Sequence, residues 1–203
     1  MNEEQLIVLI YILVVARLVT HHVPGVLASA PLRRSVNEYL DSFIVAGGAA
    51  LLLITFVVRS FFIPSASMLP TLKVHDYILV NKFIYEFCHP MRGDILVFYP
   101  PHLPEDSDKK DFIKRVIAIE GDEITVRDGV VLLNGAALEE PYIAAPPVND
   151  FGPHRVPPGH IFMMGDNRNN SDDSRSWGDL PLENVVGKAF LVFWPPQRIR
   201  LIP

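Results

Sequence analysis

Two serines and a lysine are the residues of this sequence with the clearest potential for chemistry. Ser65 and Ser67 alternate in the stretch IPSASMLPTL, so in an extended chain both hydroxyls point the same way. Lys114 interrupts the apolar stretch DFIKRVIAI, and burial there would lower its pKa and make the amine a usable base. A serine nucleophile, a second hydroxyl for an oxyanion and a lysine base could together hydrolyse a peptide bond.

Ordinary structural roles explain the same residues. A Ser/Pro turn that caps a helix end accounts about equally well for Ser65 and Ser67. Lys114, taken alone, is better explained as a charge that protects an edge strand from aggregation. In a strand, Lys114 and Arg115 face opposite sides, so one of these cations must face an apolar side. The stretch GDNRNNSDDSRSWG, residues 165–178, is typical of a solvated loop.

The remaining polar residues predict no metal, cofactor or nucleic-acid site. None of the seven histidines has the His-x-x-x-His spacing of a metal site, and each is best interpreted as a solvated side chain. Cys88 is the only cysteine, which excludes an intrachain disulfide and a metal site built on paired cysteines. A formal net charge of -5 argues against a nucleic-acid partner, whose phosphates would need a basic face.

Two apolar segments near the N-terminus predict that these residues are anchored to a membrane. In the first segment, residues 1–20, Arg17 is the only charge from Gln5 onward. The second segment, residues 43–60, begins with sixteen consecutive uncharged residues. A spanning helix needs about 20 mostly apolar residues. We therefore predict one transmembrane helix in each segment.

The charges around these segments predict the topology. A cleaved signal peptide is disfavoured, because the start MNEEQ is acidic and Pro31 would directly follow the A-x-A pattern of residues 28–30. Residues 21–42 contain two arginines, whereas the N-terminal tail has no Lys or Arg. By the positive-inside tendency, residues 21–42 form a cytoplasmic loop and residues 61–203 lie on the outer side.

The pattern of residues 61–203 is typical of a mainly β domain. Six stretches of β-branched and aromatic residues are bounded by Gly, Pro, Asp or Asn. They are Tyr77–Tyr85, Asp94–Tyr99, Phe112–Ile119, Glu123–Gly135, Ile161–Gly165 and Gly187–Trp194. Asp128-Gly129 predicts a tight hairpin turn of type I′. The Pro-rich residues 141–158 predict a loop or extended arm, because Pro does not pair in a central strand.

Taken together and in this order, the motifs resemble bacterial type I signal peptidases, the Ser/Lys endopeptidases that remove signal peptides from exported preproteins. The stretches that carry the resemblance are IPSASMLPTL, DYILVNKFIY, RGDILVFYPP, DFIKRVIAIEGD and MMGDNRNNSDDSRSWG. The resemblance implies an antiparallel β catalytic domain of signal-peptidase type, preceded by two transmembrane α-helices. It also implies a small inserted β-subdomain at about residues 122–160, without a disulfide.

The resemblance implies a role for each candidate site residue. Ser67 would be the nucleophile and Lys114 its general base. The Ser65 hydroxyl and the Ser67 amide would form the oxyanion hole, and Ser171 would hydrogen-bond and orient the lysine. The charged residues that brace the site would be Asp173 and Arg175.

The resemblance also implies the substrate and the place of action. Shallow pockets would accept the small side chains of A-x-A cleavage sites. Their walls would come from Phe61, Ile63, Met68, Leu72, Ile78, Val97, Phe112 and Ile113. The enzyme would be a multi-pass protein of the bacterial cytoplasmic membrane with its catalytic domain on the extracytoplasmic side. Its partners would be secretory preproteins and membrane phospholipids, close to the protein-export translocon, and it would need no cofactor.

Rival interpretations and departures from the family pattern bear on this assignment. The SOS-repressor autoproteases use a Ser/Lys dyad on a similar β core, but they carry a DNA-binding or short soluble N-terminal segment. A non-catalytic, membrane-anchored β-domain would not need both Ser67 and Lys114.

The family usually has Gly-Asp where His75-Asp76 stands and IGLPGD where IAIEGD stands. The turn after the base strand is therefore expected to differ at Ala118 and Glu120.

Overall fold

The computed structural model describes residues 3–23, 29–52, 58–101 and 111–203. These residues belong to two units, Met1–Val58 and Arg59–Pro203. The first unit is a pair of helices and the second is built from strands.

The first unit is a helical hairpin. Its helices are α1 (Glu3–His22) and α2 (Ala30–Leu52). The Arg17 guanidinium donates to Asp41 at 2.7 Å, and Ile10 packs near Gly47, where an added Cβ would lie 3.0 Å from its Cγ1. In these two contacts the lower-numbered residue of α1 meets the higher-numbered residue of α2, so the helices run antiparallel.

Within the described residues, α1 is the only helix long and apolar enough to cross a membrane, over Glu4–His22. The second transmembrane helix, predicted over residues 43–60, is not confirmed. α2 starts at Ala30, inside the segment predicted to be a cytoplasmic loop, and four charged residues in its first half lower its hydropathy. At the other end, Val58–Phe62 form a strand. Residues 53–57 of the predicted span, and Ala28 of the A-x-A pattern, lie outside the described residues.

The strands of the described residues form two sheets. In chain order they are β1 (Val58–Phe62), β2 (Tyr77–Asn81), β3 (Ile95–Phe98), β4 (Phe112–Ile119), β5 (Glu123–Arg127), β6 (Val130–Leu133), β7 (Ala136–Ala137), β8 (Phe151–Arg155), β9 (His160–Met164), β10 (Leu180–Pro181), β11 (Val185–Trp194) and β12 (Arg200–Leu201). The main sheet has the order β1-β2-β11-β3-β4-β9-β10, with β12 beside β11. The prediction of a mainly β, antiparallel domain is confirmed.

The central strand β4 has one open edge. Along Phe112–Arg115 it pairs antiparallel with β3. On its other side, β9 pairs only with Arg115–Ile119. Among the described strands, none pairs with the β9-side edge of β4 before Arg115, so the main chain of Phe112–Lys114 is available there to another extended chain.

The second sheet lies where the sequence predicts an inserted β-subdomain, with the order β7-β6-β5-β8. Asp128 and Gly129 join β5 to β6 with φ of 51° and 77°, the backbone of a type I′ turn. β8 forms within the Pro-rich stretch that was predicted to be a loop or arm, so that expectation is wrong for Phe151–Arg155. This strand pairs only with β5, at the sheet edge where Pro153 is tolerated.

A cluster of buried aliphatic residues packs beneath the segment Ile63–Leu72. Met68, Leu72 and Ile78 are fully buried in it. β2, β3 and β11 supply most of the other members. Because this segment rests on a close-packed core, the polar residues that it carries are held in one position.

Candidate active site

Ser67 and Lys114 meet at the end of the apolar core. Lys114 Nζ lies 2.9 Å from Ser67 Oγ and donates to the carbonyl oxygen of Ile113 at 3.0 Å. Lys114 is 4% exposed and Ser67 is 8% exposed. The aromatic ring of Phe112 lies 5.5 Å from Nζ. A hydroxyl and an amine at hydrogen-bond distance in an apolar setting are arranged for proton transfer.

Burial lowers the pKa of Lys114 from 10.5 to about 8. The opposing effect comes from the negative charges of Asp173, Asp172 and Asp166, which favour the ammonium form and raise the pKa. Desolvation is the larger effect, because the buried amine has little contact with water to stabilise its charge. A substantial fraction of Lys114 is therefore neutral at mildly alkaline pH.

Arg115 points to the other side of β4 and is also buried. Its guanidinium donates to both carboxylate oxygens of Asp166, at 2.8 and 2.7 Å, and its Nη1 donates to the Gly93 carbonyl at 2.9 Å. The prediction that one of the two cations must face an apolar side therefore applies to Lys114. Arg115 faces a buried carboxylate instead, which keeps its charge compensated.

The segment that contains Ser67 is held by hydrogen bonds from the main chain and the side chain of Asn167. Ser65 Oγ lies 3.3 Å from Ser67 Oγ, on the same side of the chain. The Asn167 amide nitrogen donates to the Ser67 carbonyl at 3.0 Å, and Asn167 Nδ2 donates to the Ala66 carbonyl at 3.1 Å. These bonds hold the main chain of residues 66 and 67 and leave the Ser67 hydroxyl directed at the lysine.

Ser171 lies beside the dyad, but without the predicted hydrogen bond to Lys114. A Cβ added to Gly165 would lie 2.3 Å from Ser171 Oγ and 2.5 Å from the Ser67 carbonyl oxygen, so these two serines flank Gly165 closely. Ser171 Oγ is buried and accepts or donates no hydrogen bond in the described part of the chain. Lys114 Nζ donates instead to Ser67 Oγ and to the Ile113 carbonyl oxygen.

Asp173 and Arg175 stand beneath the loop that carries Ser171. The Asp173 carboxylate is fully buried and accepts from the Gly165 amide at 3.0 Å and from the Arg175 guanidinium at 2.8 Å. Arg175 also donates to the Arg168 carbonyl at 2.6 Å. Asp173 caps α3 (Ser174–Trp177), which ends the loop. The two charged residues therefore occupy bracing positions.

A cavity of about 760 Å³ opens in front of the dyad. Five of the eight predicted wall residues line it, namely Phe61, Ile63, Val97, Phe112 and Ile113. The other three predicted wall residues, Met68, Leu72 and Ile78, are absent from the lining and are fully buried in the core behind it. Their volume supports the cavity wall, and their contact with a substrate stays a prediction.

Sequence reasoning missed three residues that hold the segments of Ser67 and Lys114 in place. Asn167, Asp166 and Arg168 belong to the stretch GDNRNNSDDSRSWG, for which a solvated loop was the ordinary interpretation, yet Asp166 and Arg168 are buried. The unusual density of charges among turn formers was the only local signal. Which charge pairs with which depends on the fold.

Comparisons with known proteins agree on one family. The family model described as signal peptidase, peptidase S26, matches residues 36–194. A signal peptidase I of Leptolyngbya laminosa is 43% identical over 175 residues, which cover 85% of this chain and 84% of that protein. A probable signal peptidase I-2 of Synechocystis sp. is 46% identical over 149 residues, which cover 73% of this chain and 68% of that protein.

A solved structure is also similar. It is a crystal structure of a signal peptidase I from Enterococcus faecalis, with 30% identity and a TM-score of 0.44, which covers 50% of this chain and 97% of that one.

Proposed function

The chain belongs to the signal peptidase I family, hydrolases that cleave signal peptides from preproteins, and on that premise we propose that it does so with Ser67 and Lys114 as a catalytic dyad. The observation that carries the proposal is the 2.9 Å approach of Lys114 Nζ to Ser67 Oγ in a buried site.

The proposed reaction is acyl transfer. Neutral Lys114 takes the proton of Ser67 as Oγ attacks the scissile carbonyl carbon. The Ser65 hydroxyl and the Ser67 amide stabilise the oxyanion, and the lysine ammonium then protonates the leaving amine as the peptide bond breaks. In the second half, Lys114 takes a proton from water, the hydroxide attacks the acyl-enzyme, and the proton returns to Ser67.

The open edge of β4 supports the way in which we propose that the substrate binds. An extended preprotein segment that pairs with the free main chain of Phe112–Lys114 would lie in the cavity in front of Ser67. In an extended segment, alternate side chains point to the same face. Two side chains spaced by one residue would thus enter the cavity beside Ile63 and Ile113, which favours small residues in the pattern A-x-A.

Membrane attachment rests on α1. This helix has the length and composition of a membrane span, and we propose that it anchors the enzyme to the bacterial cytoplasmic membrane among phospholipids. The outer location of the catalytic domain, its proximity to the translocon and a multi-pass topology stay predictions from the charge distribution and the family resemblance.

The proposed function is tested by cleavage of a purified preprotein with an A-x-A site by the full chain in detergent micelles. We expect one cut, directly after the second alanine, identified by the mass of the mature product. The matched control is the same preprotein with leucine in place of that alanine, which should remain intact if the site accepts only small side chains. A wild-type enzyme that binds the preprotein without cutting it would support the non-catalytic β-domain instead.

Activity should depend on pH through Lys114. Because burial lowers the pKa of Lys114 to about 8 and only the neutral amine is a base, kcat/KM should fall about tenfold per pH unit below pH 8. Above pH 8 it should level off. The measurement is kcat/KM between pH 6 and 9.5, with circular dichroism at each pH to show that the protein stays folded. A maximum well below pH 7 would contradict a neutral lysine base.

A further inference from the structure

A segment without regular secondary structure, residues 139–148, crosses from the second sheet to the active site; we call it the strap. It connects β7 to β8. On one side it packs on the β5–β6 turn, where a Cβ added to Gly129 would lie 3.4 Å from Pro146 Cβ. On its other side it contacts the loop Gly165–Asp173, which we call the site loop.

The first contact between the strap and the site loop is a buried ion pair. Both carboxylate oxygens of Glu140 accept from the Arg168 guanidinium, at 2.6 and 2.7 Å. The two side chains are 5% and 0% exposed. Paired geometry of this kind fixes orientation as well as distance, since both donors must align with both acceptors.

Tyr142 adds to the same contact. Its hydroxyl donates to Glu140 at 3.0 Å, and its ring centre lies 3.9 Å from the Arg115 guanidinium carbon and 5.9 Å from that of Arg168. Arg115 follows the base Lys114 in β4. The tyrosine therefore stacks against the strand that carries the base and hydrogen-bonds the carboxylate that holds the site loop.

A second contact lies further along the strap. The Val148 amide donates to Asn169 Oδ1 at 3.0 Å, and Asn169 Nδ2 donates to the Pro146 carbonyl at 2.9 Å. The strap therefore forms hydrogen bonds with the site loop at Arg168 and again at Asn169. Both positions follow directly on Asn167, which binds the carbonyls of Ala66 and Ser67.

We propose that the strap is a positioning element of the catalytic site. Glu140 and Tyr142 hold Arg168, so that the neighbouring Asn167 keeps Ser67 Oγ at hydrogen-bond distance from Lys114 Nζ. The proposal rests on the proposed function for its kinetic readout. Loss of Glu140 leaves the Arg168 guanidinium buried without a counter-charge, so the site loop must shift to hydrate it. Asn167 then moves with its neighbour, and an error of about 1 Å between nucleophile and base can cost about 100-fold in rate.

The test compares Glu140→Ala with a matched variant, Asp122→Ala, in the full chain in detergent micelles. Asp122 is a buried carboxylate that accepts from Arg92 at 2.8 and 2.5 Å and lies at the start of the second sheet, away from the site loop. Both variants should lower the thermal midpoint. Only Glu140→Ala should lower kcat, by about 10- to 100-fold, with KM changed less than about threefold. Glu140→Gln should retain more activity than Glu140→Ala, because an amide oxygen still accepts from the guanidinium.

Hydrogen exchange gives a readout that does not need catalysis. Peptides that contain Asn167, whose main-chain amide donates to the Ser67 carbonyl, should lose amide protection in Glu140→Ala and keep it in Asp122→Ala. Equal kcat per folded molecule and equal exchange in the two variants would overturn the proposal and leave the strap a stabilising contact only. If the wild type cuts no preprotein, the proposed function fails, while the exchange comparison still decides whether the strap holds the segment of Ser67.

Discussion

Alanine at either Ser67 or Lys114 is expected to lower kcat/KM for preprotein cleavage by at least about 10³-fold. Without the Ser67 hydroxyl there is no nucleophile. Without the Lys114 amine the hydroxyl loses its base, because the neighbouring Ser65 hydroxyl is too weakly basic to take the proton. Because the two groups act as one unit, the double variant should be scarcely slower than either single variant. The measurement is single-turnover cleavage of an A-x-A preprotein by full-length enzyme in detergent.

Two further variants separate loss of chemistry from loss of fold. Lys114→Met keeps the length of the buried side chain, and at pH 7 it should unfold no more easily than the wild type. Burial lowers the pKa of Lys114, so the ammonium is less favourable in the folded protein than in the unfolded chain at that pH. Lys188→Ala removes a different partly buried lysine, one that pairs with Asp94, and should cleave normally. Normal cleavage by Ser67→Ala or Lys114→Ala would refute the dyad.

The sequence predicted the two residues that the fold brings together, Ser67 and Lys114, better than the elements that support them. Each of the six predicted strand segments contains at least one strand, because these segments alternate or end at Gly, Pro, Asp or Asn. β1 was not predicted, because it directly continues the apolar run that starts at residue 43. A continuous apolar run has neither the period of a helix nor that of a strand, so its end cannot be located from pattern alone.

The pocket residues show a second limit of sequence patterns. Alternation along a strand gives the face on which a side chain lies, but it does not give the depth of that side chain beneath the surface. Ile63 and Ile113 reach the cavity, whereas Met68 lies in the core behind it. The contribution of Glu140 and Tyr142 was equally invisible, since their partners lie more than twenty residues away in sequence.

The structure shows how two departures from the family pattern are accommodated. His75 stands where the family usually has Gly, and its φ of 72° lies in the left-handed region that Gly adopts without strain. The His75 ring stacks on Phe62 at 5.8 Å, which offsets part of this cost. Glu120 accepts from the Gly159 amide at 2.9 Å and so ties the turn after β4 to the start of β9. Neither departure contacts the dyad.

Gly165→Ala is expected to reduce cleavage by about 100-fold or more, although it adds only a methyl group. The new Cβ would lie 2.3 Å from Ser171 Oγ, 2.7 Å from Ser171 Cβ and 2.5 Å from the Ser67 carbonyl oxygen. That carbonyl is main chain and already accepts from the Asn167 amide, so it cannot rotate away as a side chain could. The methyl group must therefore displace the nucleophile segment or the site loop, and either shift lengthens the distance from Ser67 to Lys114.

Gly187→Ala is the matched control for crowding, because its Cβ would lie 2.4 Å from the Asn81 carbonyl oxygen, in a strand that β3 separates from β4 and Lys114. Overpacking should lower the free energy of unfolding of both variants by about 1–3 kcal/mol. Only Gly165→Ala should lose kcat per folded molecule. Adding Ser171→Gly to Gly165→Ala removes two of the three close contacts but leaves the one with the Ser67 carbonyl. If displacement of Ser67 is the cause, activity stays low in the double variant; full recovery would assign the effect to Ser171 instead.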